Sequence, residues 1–411
     1  MAQQDFLHFV EDTIEFVEHP LSSQFDFKQN NLVIKKSSKD LAATFDDPSR
    51  VLYRHSGISI QNDQNNAIIY RGLPSEYMRW SIGGAEILNP NHLSNAGRIT
   101  DQVSPAAGGV LGIPFDVINS FNFYGNPYDN SMFSSLSGVG EFNFNSRSDN
   151  FVKLGLLGME AGIQTEGKLA TKAHFRYSTV GLLSDLGVDF DGEAIKFYDG
   201  FVQTEITDKL TFIGSMGVSS NNKTAVADSS VIEEFKDLQD INFESKFWIA
   251  GLTYKTDNQS HSAFFSKRYM DRVSRSNIML DENLARAYDA STFSDQSMFS
   301  YNGRYRWLEG KRIYKLNTQF NVSELDEDLN FIRTNDYHDS FVRAAGSVQQ
   351  GFQLGQFNVL LSPDIAVNYH FNHRKVYLEP ALNASLETGK HQFNLNASLK
   401  TAMLLTNRII L

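Results

Sequence analysis

Residues 357–371 read FNVLLSPDIAVNYHF. On an extended chain, Phe357, Val359, Leu361, Ile365, Val367, Tyr369 and Phe371 share one face, while Asn358, Ser362, Asp364, Asn368 and His370 share the other. Successive side chains of a strand point to opposite sides, so a period of two held this long predicts one strand with an apolar and a hydrophilic face.

The same texture recurs through the C-terminal part of the chain. Leu316, Thr318, Phe320 and Val322 oppose Lys315, Asn317, Gln319 and Asn321. Phe393, Leu395, Ala397, Leu399 and Met403 oppose Gln392, Asn394, Asn396, Ser398 and Lys400. Residues 169–179 behave alike, with Lys172, His174 and Arg176 on the polar side. Strands of a soluble sandwich average about five or six residues. These run to roughly ten to fifteen, long enough to cross a bilayer at the usual tilt. Repeated apolar-out, polar-in strands predict a mainly β protein, a transmembrane antiparallel β-barrel with a wet interior.

The connections agree with that reading. Short polar turns fall at 207–209, 256–259, 309–311, 354–356 and 388–390, and long polar loops are expected at 181–194, 220–243, 271–296 and 323–338. Alternating short and long links suits a barrel with one rim in the periplasm and the other outside. Counting from Phe151, with a tight hairpin near 158–160, gives about 12–13 strands. Single-chain bacterial barrels have an even number and finish at the periplasmic side, so on this count the barrel is partial at its C-terminal end.

Bulk composition sets outer bounds. With 411 residues, two units are expected: the barrel over 151–411 and a smaller unit before it. There are no cysteines, which excludes disulfides and thiolate metal sites. A net charge of −11 argues against nucleic acid as a partner. No run of about 18 apolar residues exists, so no transmembrane helix is expected, a result that leaves strands untouched. Phe (32) and Tyr (16) against Trp (3) and Pro (9) suit strands and an aromatic girdle. No signal peptide is visible, and the opening Met1-Ala2-Gln3-Gln4 reads as the start of a mature or recombinant form, with an export signal removed or never included.

Residues 36–150 differ from the alternating C-terminal region, with short strands at 58–60 and 67–71, a helical piece within 40–53, and many Gly, Asn and Ser. That mixture suits a compact α+β unit with long loops. Asp46-Asp47-Pro48-Ser49-Arg50 reads as a capped helix start. Within the unit run FDDPSRVLYRHSGISI, IIYRGLPSEYMRWSIGGAEILNPNHL, GGVLGIP and FYGNPYDNSMFSSLSGVGEFNF. In that order, these elements resemble the plug domain of TonB-dependent outer-membrane receptors. The resemblance implies a plug at 36–150 inside a barrel that has twenty-two strands in the family, an outer-membrane location in a Gram-negative bacterium, and partnership with a TonB-type energy transducer, outer-membrane lipid and a small ligand. It further implies that Arg71, after a strand-to-loop corner at Gly72, and Asn89, Asn91 and His92, on an apical loop, contact ligand.

In the polar extension 1–35, Asp12-Thr13-Ile14-Glu15-Phe16-Val17 is similar to a TonB box, the peptide that adds as a strand to the transducer. An amphipathic helix from Gln4 is the other reading of these residues, since Phe6, Phe9, Val10, Thr13 and Val17 also fall at helical spacing. Leu32-Val33-Ile34 reads as the first plug strand.

No catalytic constellation stands out, and neither a cofactor nor a metal is expected. Gly83-Gly84 and Gly108-Gly109 lack the Lys of a phosphate loop and read as turns. His370 and His373 lie on opposite faces of an extended chain and flank a turn. The acidic run 324–328 lacks the glycine and spacing of a calcium loop and reads as a solvated external loop. The expected function is therefore active transport of a scarce ligand (siderophore, corrinoid, peptide or oligosaccharide) rather than catalysis. The alternative is an outer-membrane structural or accessory protein whose plug seals or braces a larger membrane complex.

Overall fold

A computed structural model describes residues 14–15, 31–35, 47–62, 65–73, 75–93, 108–125, 135, 137–144, 150–155, 158–188, 193–226, 230, 232, 235–280, 283–310, 312–328, 334–355, 357–388 and 391–399. Of the tail hexapeptide only Ile14 and Glu15 are described; Asp12, Thr13, Phe16 and Val17 lie outside the described residues.

Among the described residues the N-terminal unit holds ten short strands: β1 (Ile14–Glu15), β2 (Asn31–Lys35), β3 (Ile58–Asn62), β4 (Asn65–Tyr70), β5 (Met78–Ile82), β6 (Ala85–Ile87), β7 (Asn91–His92), β8 (Val110–Leu111), β9 (Ile118–Tyr124) and β10 (Gly138–Phe144). Six form one sheet in the order β1-β2-β9-β10-β5-β6, antiparallel except for the β10–β5 pair. The helical piece starts at Pro48, with the Asp47 carboxylate accepting from the Ser49 amide at 2.8 Å, as its capping sequence predicts. Residues 40–46 of that expected helix lie outside the described residues. Trp80 is stacked on Phe142 at 5.5 Å and stands 5.9 Å from Phe121, which anchors the core of the unit.

The second unit is a thirteen-stranded antiparallel meander in strict sequence order. Its strands are β11 (Phe151–Leu154), β12 (Gly158–Thr165), β13 (Ala170–Ser178), β14 (Glu193–Thr207), β15 (Leu210–Lys223), β16 (Gln239–Lys255), β17 (Gln259–Leu280), β18 (Asn283–Glu309), β19 (Arg312–Asp328), β20 (Thr334–Leu354), β21 (Phe357–His370), β22 (Lys375–Thr388) and β23 (His391–Ser398). The sheet curves as a wall around the first unit and, among the described residues, is open, with β11 and β23 as its edges. The hairpin expected at 158–160 turns slightly earlier, between Leu154 and Gly158.

Polarity is inverted relative to a water-soluble sheet. Phe393 and Leu395 are 61 % and 67 % exposed, while Asn317, Gln319, Asn321, Ser362, Asp364 and Asn368 are buried on the inner face. Ile365 and Val367, on the same strand as Asp364 and Asn368, point outward. The outward apolar span runs from Tyr254 to Trp248 on β16 and from Phe357 to Phe371 around β21. Above Trp248 the outward face turns charged, with Lys246 paired to Glu244 at 2.9 Å and Lys267 to Asp295 at 3.0 Å.

Two expectations need correction. The links 271–296 and 323–338 are largely strand: β17 runs to Leu280 and β18 starts at Asn283, while β19 runs to Asp328 and β20 starts at Thr334. The acidic run 324–328 therefore lies within β19 rather than in a loop. Past the apolar slab the outward positions become polar too, so the alternation fades from the sequence while the backbone ladder and the buried inner row (Arg272, Ser274 and Ser276 on β17, Glu327 on β19) continue. The inner lining is also not uniformly wet. Phe201, Ile213, Phe247, Ile249 and Phe264 of the wall join one buried cluster with Trp80, Ile82, Ile113 and Phe142 of the first unit. Where the inner unit rests, β16 is apolar on both faces, as a strand covered on both sides is.

Candidate functional site

The junction between the inner unit and the wall carries the densest buried polar chemistry. It starts at the β5–β6 turn, where Gly83 and Gly84 take φ of +58° and +80°. A Cβ on Gly84 would stand 2.2 Å from the Arg304 guanidinium, so a side chain here strains the backbone and displaces Arg304. From that turn the chain climbs along the wall. Ser300 Oγ accepts from the Glu86 amide at 2.9 Å and Ser266 Oγ from the Leu88 amide at 3.1 Å. The Glu86 carboxylate accepts from Asn321 Nδ2 at 2.8 Å and lies 3.3 Å from Arg79. Burial pushes this carboxyl above the usual range, against the pull of Arg79 and Asn321.

Next comes Asn89-Pro90-Asn91-His92. Asn89 Oδ1 accepts from the Asn91 backbone and side-chain nitrogens at 3.1 and 2.6 Å, closing a turn around Pro90. Arg268 of β17 donates to the backbone carbonyls of Asn89 and Asn91 at 3.0 and 3.2 Å. His92 Nε2 lies 3.0 Å from Asp199 Oδ2 on β14, its ring held between Phe197 and Phe247. The same carboxylate oxygen accepts from Arg176 Nε and Nη2 at 2.9 and 2.6 Å. Burial pushes the His92 pKa down, the Asp199 hydrogen bond and charge oppose this, and Arg176 and Arg268 add to the depression. A neutral ring donating Nε2–H to Asp199 fits these surroundings, since Nδ1 then needs no acceptor and has none among the described residues.

The wall grips chiefly main-chain oxygens. Beside the two carbonyls held by Arg268, Arg176 Nη2 donates to Leu111 O at 2.6 Å, Lys172 Nζ to Val117 O at 2.8 Å and Ser219 Oγ to Leu93 O at 2.9 Å. Lys172 also sits over the rings of Phe144 and Phe201. Tyr124 donates to Glu141 at 3.1 Å, and Arg304 stands 3.7 Å from the same carboxylate.

The sequence placed Asn89, Asn91 and His92 on an apical loop facing an external cavity. The structure brings the three together but turns them into the wall, 3 %, 1 % and 3 % exposed. Buried amides and imidazoles need partners, and the wall supplies them. Arg71 stands apart from these three, exposed on the turn after β4, with φ +51° followed by Gly72 at +78° and its guanidinium 5.0 Å from the Tyr70 ring. Ile14 and Glu15 pair with Ile34 and Val33 at the edge of the six-stranded sheet. His370 ends β21, buried and 3.7 Å from Asp339, while His373 sits in an exposed turn. Asp199 and Arg268 were not legible as site residues. The only signal for Arg176 was its place with Lys172 and His174 on one polar strand face.

No protein-family model and no curated protein matches the chain. Solved structures do. A variant of the ferric enterobactin receptor PfeA of Pseudomonas aeruginosa superposes with a TM-score of 0.57 at 11 % identity, covering 90 % of this chain and 61 % of that one. The siderophore receptor PirA of Acinetobacter baumannii gives 0.55 at 12 % identity, over 90 % of this chain and 60 % of the other. The alcaligin outer-membrane receptor FauA of Bordetella pertussis gives 0.53 at 11 %, over 92 % and 64 %. The fold is that of a TonB-dependent outer-membrane receptor. The chain spans about three fifths of the length of these receptors. The Glu86–Leu93 segment is where the inner unit is fastened to the wall.

Proposed function

We propose that the protein is an outer-membrane TonB-dependent transporter in a Gram-negative bacterium, with the seam from Glu86 to Leu93 as the closed gate. The observation that carries this reading is the inverted wall: apolar residues outside, and inside it a plug held by discrete hydrogen bonds. Such a seat excludes water yet releases stepwise, because each bond to a carbonyl is worth only about 1 kcal/mol, or roughly twice that when charged. Ligand arriving from outside loosens the seam, and a pull on the N-terminal tail then moves the plug. Asn89, Asn91 and His92 belong to the latch in this closed arrangement, and Arg71, exposed on its turn, is free to meet other molecules. The box candidate Asp12–Val17 engages a TonB-type transducer. The two-residue pairing of Ile14 and Glu15 with β2 is a weak ladder that an incoming strand can replace. Three similar receptors are named for siderophores or siderophore complexes, which puts ferric siderophores first among the ligand classes to assay. The chemistry of the seam is binding and release, not bond making.

The test is uptake of radioiron-loaded catecholate and hydroxamate siderophores by cells carrying the full protein, with and without residues 10–18. Uptake that collapses on deletion supports the transporter. A protein whose deletion leaves uptake and growth unchanged, but whose removal weakens the envelope, is an accessory component instead.

A further inference from the structure

The link between β13 and β14 contains a helix, Thr179–Asp185, folded against the outward side of the wall rather than over its lumen. Three contacts place it there. A Cβ on Gly181 would lie 3.3 Å from both Tyr177 Oη and Lys196 Cγ, which belong to outward-facing side chains. Tyr177 donates to Asp185 at 2.6 Å, and Lys196 forms an ion pair with the same carboxylate. Thr179 Oγ1 donates to Gly155 O at 2.7 Å in the neighbouring turn. The ends are sealed locally: Ser178 Oγ accepts from the Gly181 amide, and Gly187, at φ +92°, closes the far end with its amide on Ser184 O.

Pinned this way, the helix turns Val180, Leu183 and Leu186 away from the wall, three residues apart on one side, at 37 %, 38 % and 74 % exposure, with Val188 beyond them at 46 %. The stripe continues the apolar surface below it. Tyr177 pairs with Tyr198, and the next outward row holds Phe175, Met216 and Trp248, all exposed. Tyrosines at the upper border of an apolar slab mark the interfacial level of a membrane. A short amphipathic helix at that level, apolar side outward, has the chemistry of a segment lying in the headgroup–acyl boundary. We propose that Thr179–Asp185 is an interfacial foot, its Val180-Leu183-Leu186 stripe seated in the outer leaflet and held at a set angle by the Tyr177-Asp185-Lys196 clasp. The proposal rests on the reading of the wall as membrane-embedded.

Because the chain has no cysteine, single reporters can be placed without background. Nitroxide labels at Leu183→Cys and Leu186→Cys, in the full chain reconstituted in phosphatidylcholine–phosphatidylglycerol vesicles, are compared with Val367→Cys on the apolar face of β21 and Lys209→Cys in a short polar turn. The readout is collision with dissolved oxygen against a water-soluble nickel complex. The expected result is that Leu183 and Leu186 follow Val367, losing nickel collisions relative to Lys209 while keeping oxygen collisions. Nickel collisions equal to those at Lys209 would place the helix in water, and shielding from both reagents would place it under protein; either overturns the proposal. A Val367 label open to nickel would overturn the membrane reading itself, so the two failures are distinguishable. Asp185→Asn with Tyr177→Phe should return nickel collisions to Leu183, because the clasp sets the helix angle.

Discussion

Asp199 is fully buried and shared by Arg176 and His92, so its replacement is the sharpest test at the scale of one residue. Asp199→Asn leaves the Arg176 guanidinium charged and without its counter-ion, which should cost about 3–5 kcal/mol. Asp199→Leu combined with Arg176→Met should cost much less, since both charges then leave together. The urea midpoint of plug release, followed through Trp80 fluorescence by difference from a Trp80→Phe chain, reads both. A double variant as damaged as the single one would show that this charge pair does not hold the plug.

His92 gives the same junction a dependence on pH. Its seated pKa is pushed below its ordinary value of 6.5 by burial, with Arg176 and Arg268 adding and Asp199 opposing. The released plug therefore binds more protons, and seating loses stability as pH falls below about 6.5. Glu86 acts oppositely. Its raised seated pKa adds stability as pH falls through that value toward 4.5. His92→Gln, which retains a donor for Asp199, should remove the loss below 6.5 and leave the Glu86 gain; an unchanged urea-midpoint profile would refute the assignment. Neither Asp199 nor Arg268 was readable beforehand, because strand alternation gives a residue's face but not the partner carried by a segment far away in sequence.

At the scale of elements, the wall strands were legible because lipid and lumen impose opposite demands on successive residues. β19, β21 and β23 show this in their bare sequence. Legibility failed where that pair of demands ended. The outer ends of β17 and β18 are largely polar on both faces and read as loop, although Arg272, Ser274, Ser276 and Ser294 are buried, while the inward Ile241, Phe243, Phe247 and Ile249 of β16 are apolar because the inner unit covers them. Substitutions on β21 should follow the same logic. Val367→Arg on the outer face should cost about 2–4 kcal/mol of folding stability in lipid vesicles if it lies near the midplane, whereas inward Asn368→Ala should spare insertion. Equal costs would argue that both faces meet the same surroundings. At the β5–β6 turn, Gly84→Ala adds backbone strain to a clash with Arg304, and should shift plug release to lower urea than Gly72→Ala, where no atom lies within 4 Å.

For the whole molecule, the exposed outer face requires an apolar solvent. Phe393, Leu395, Val152 and Leu378 all lie open on it, so removing detergent should give aggregates by light scattering. A monodisperse detergent-free monomer would sink the membrane reading. The change of texture near residue 150 falls between β10, which ends at Phe144, and β11, which starts at Phe151, and the receptor-like fold was legible by resemblance. The seat between the inner unit and the wall was not, since it is made by joining distant parts of the chain.

Arg268, Arg176, Lys172 and Ser219 all take hold of carbonyl oxygens, groups that every residue carries. A fastening of this kind is blind to the identity of the residues fastened. Leu93, Leu111 and Val117 are kept apolar by the clusters they pack in, but their bonds to the wall do not depend on which apolar side chain each carries, so these positions can exchange among apolar residues without loosening the moorings.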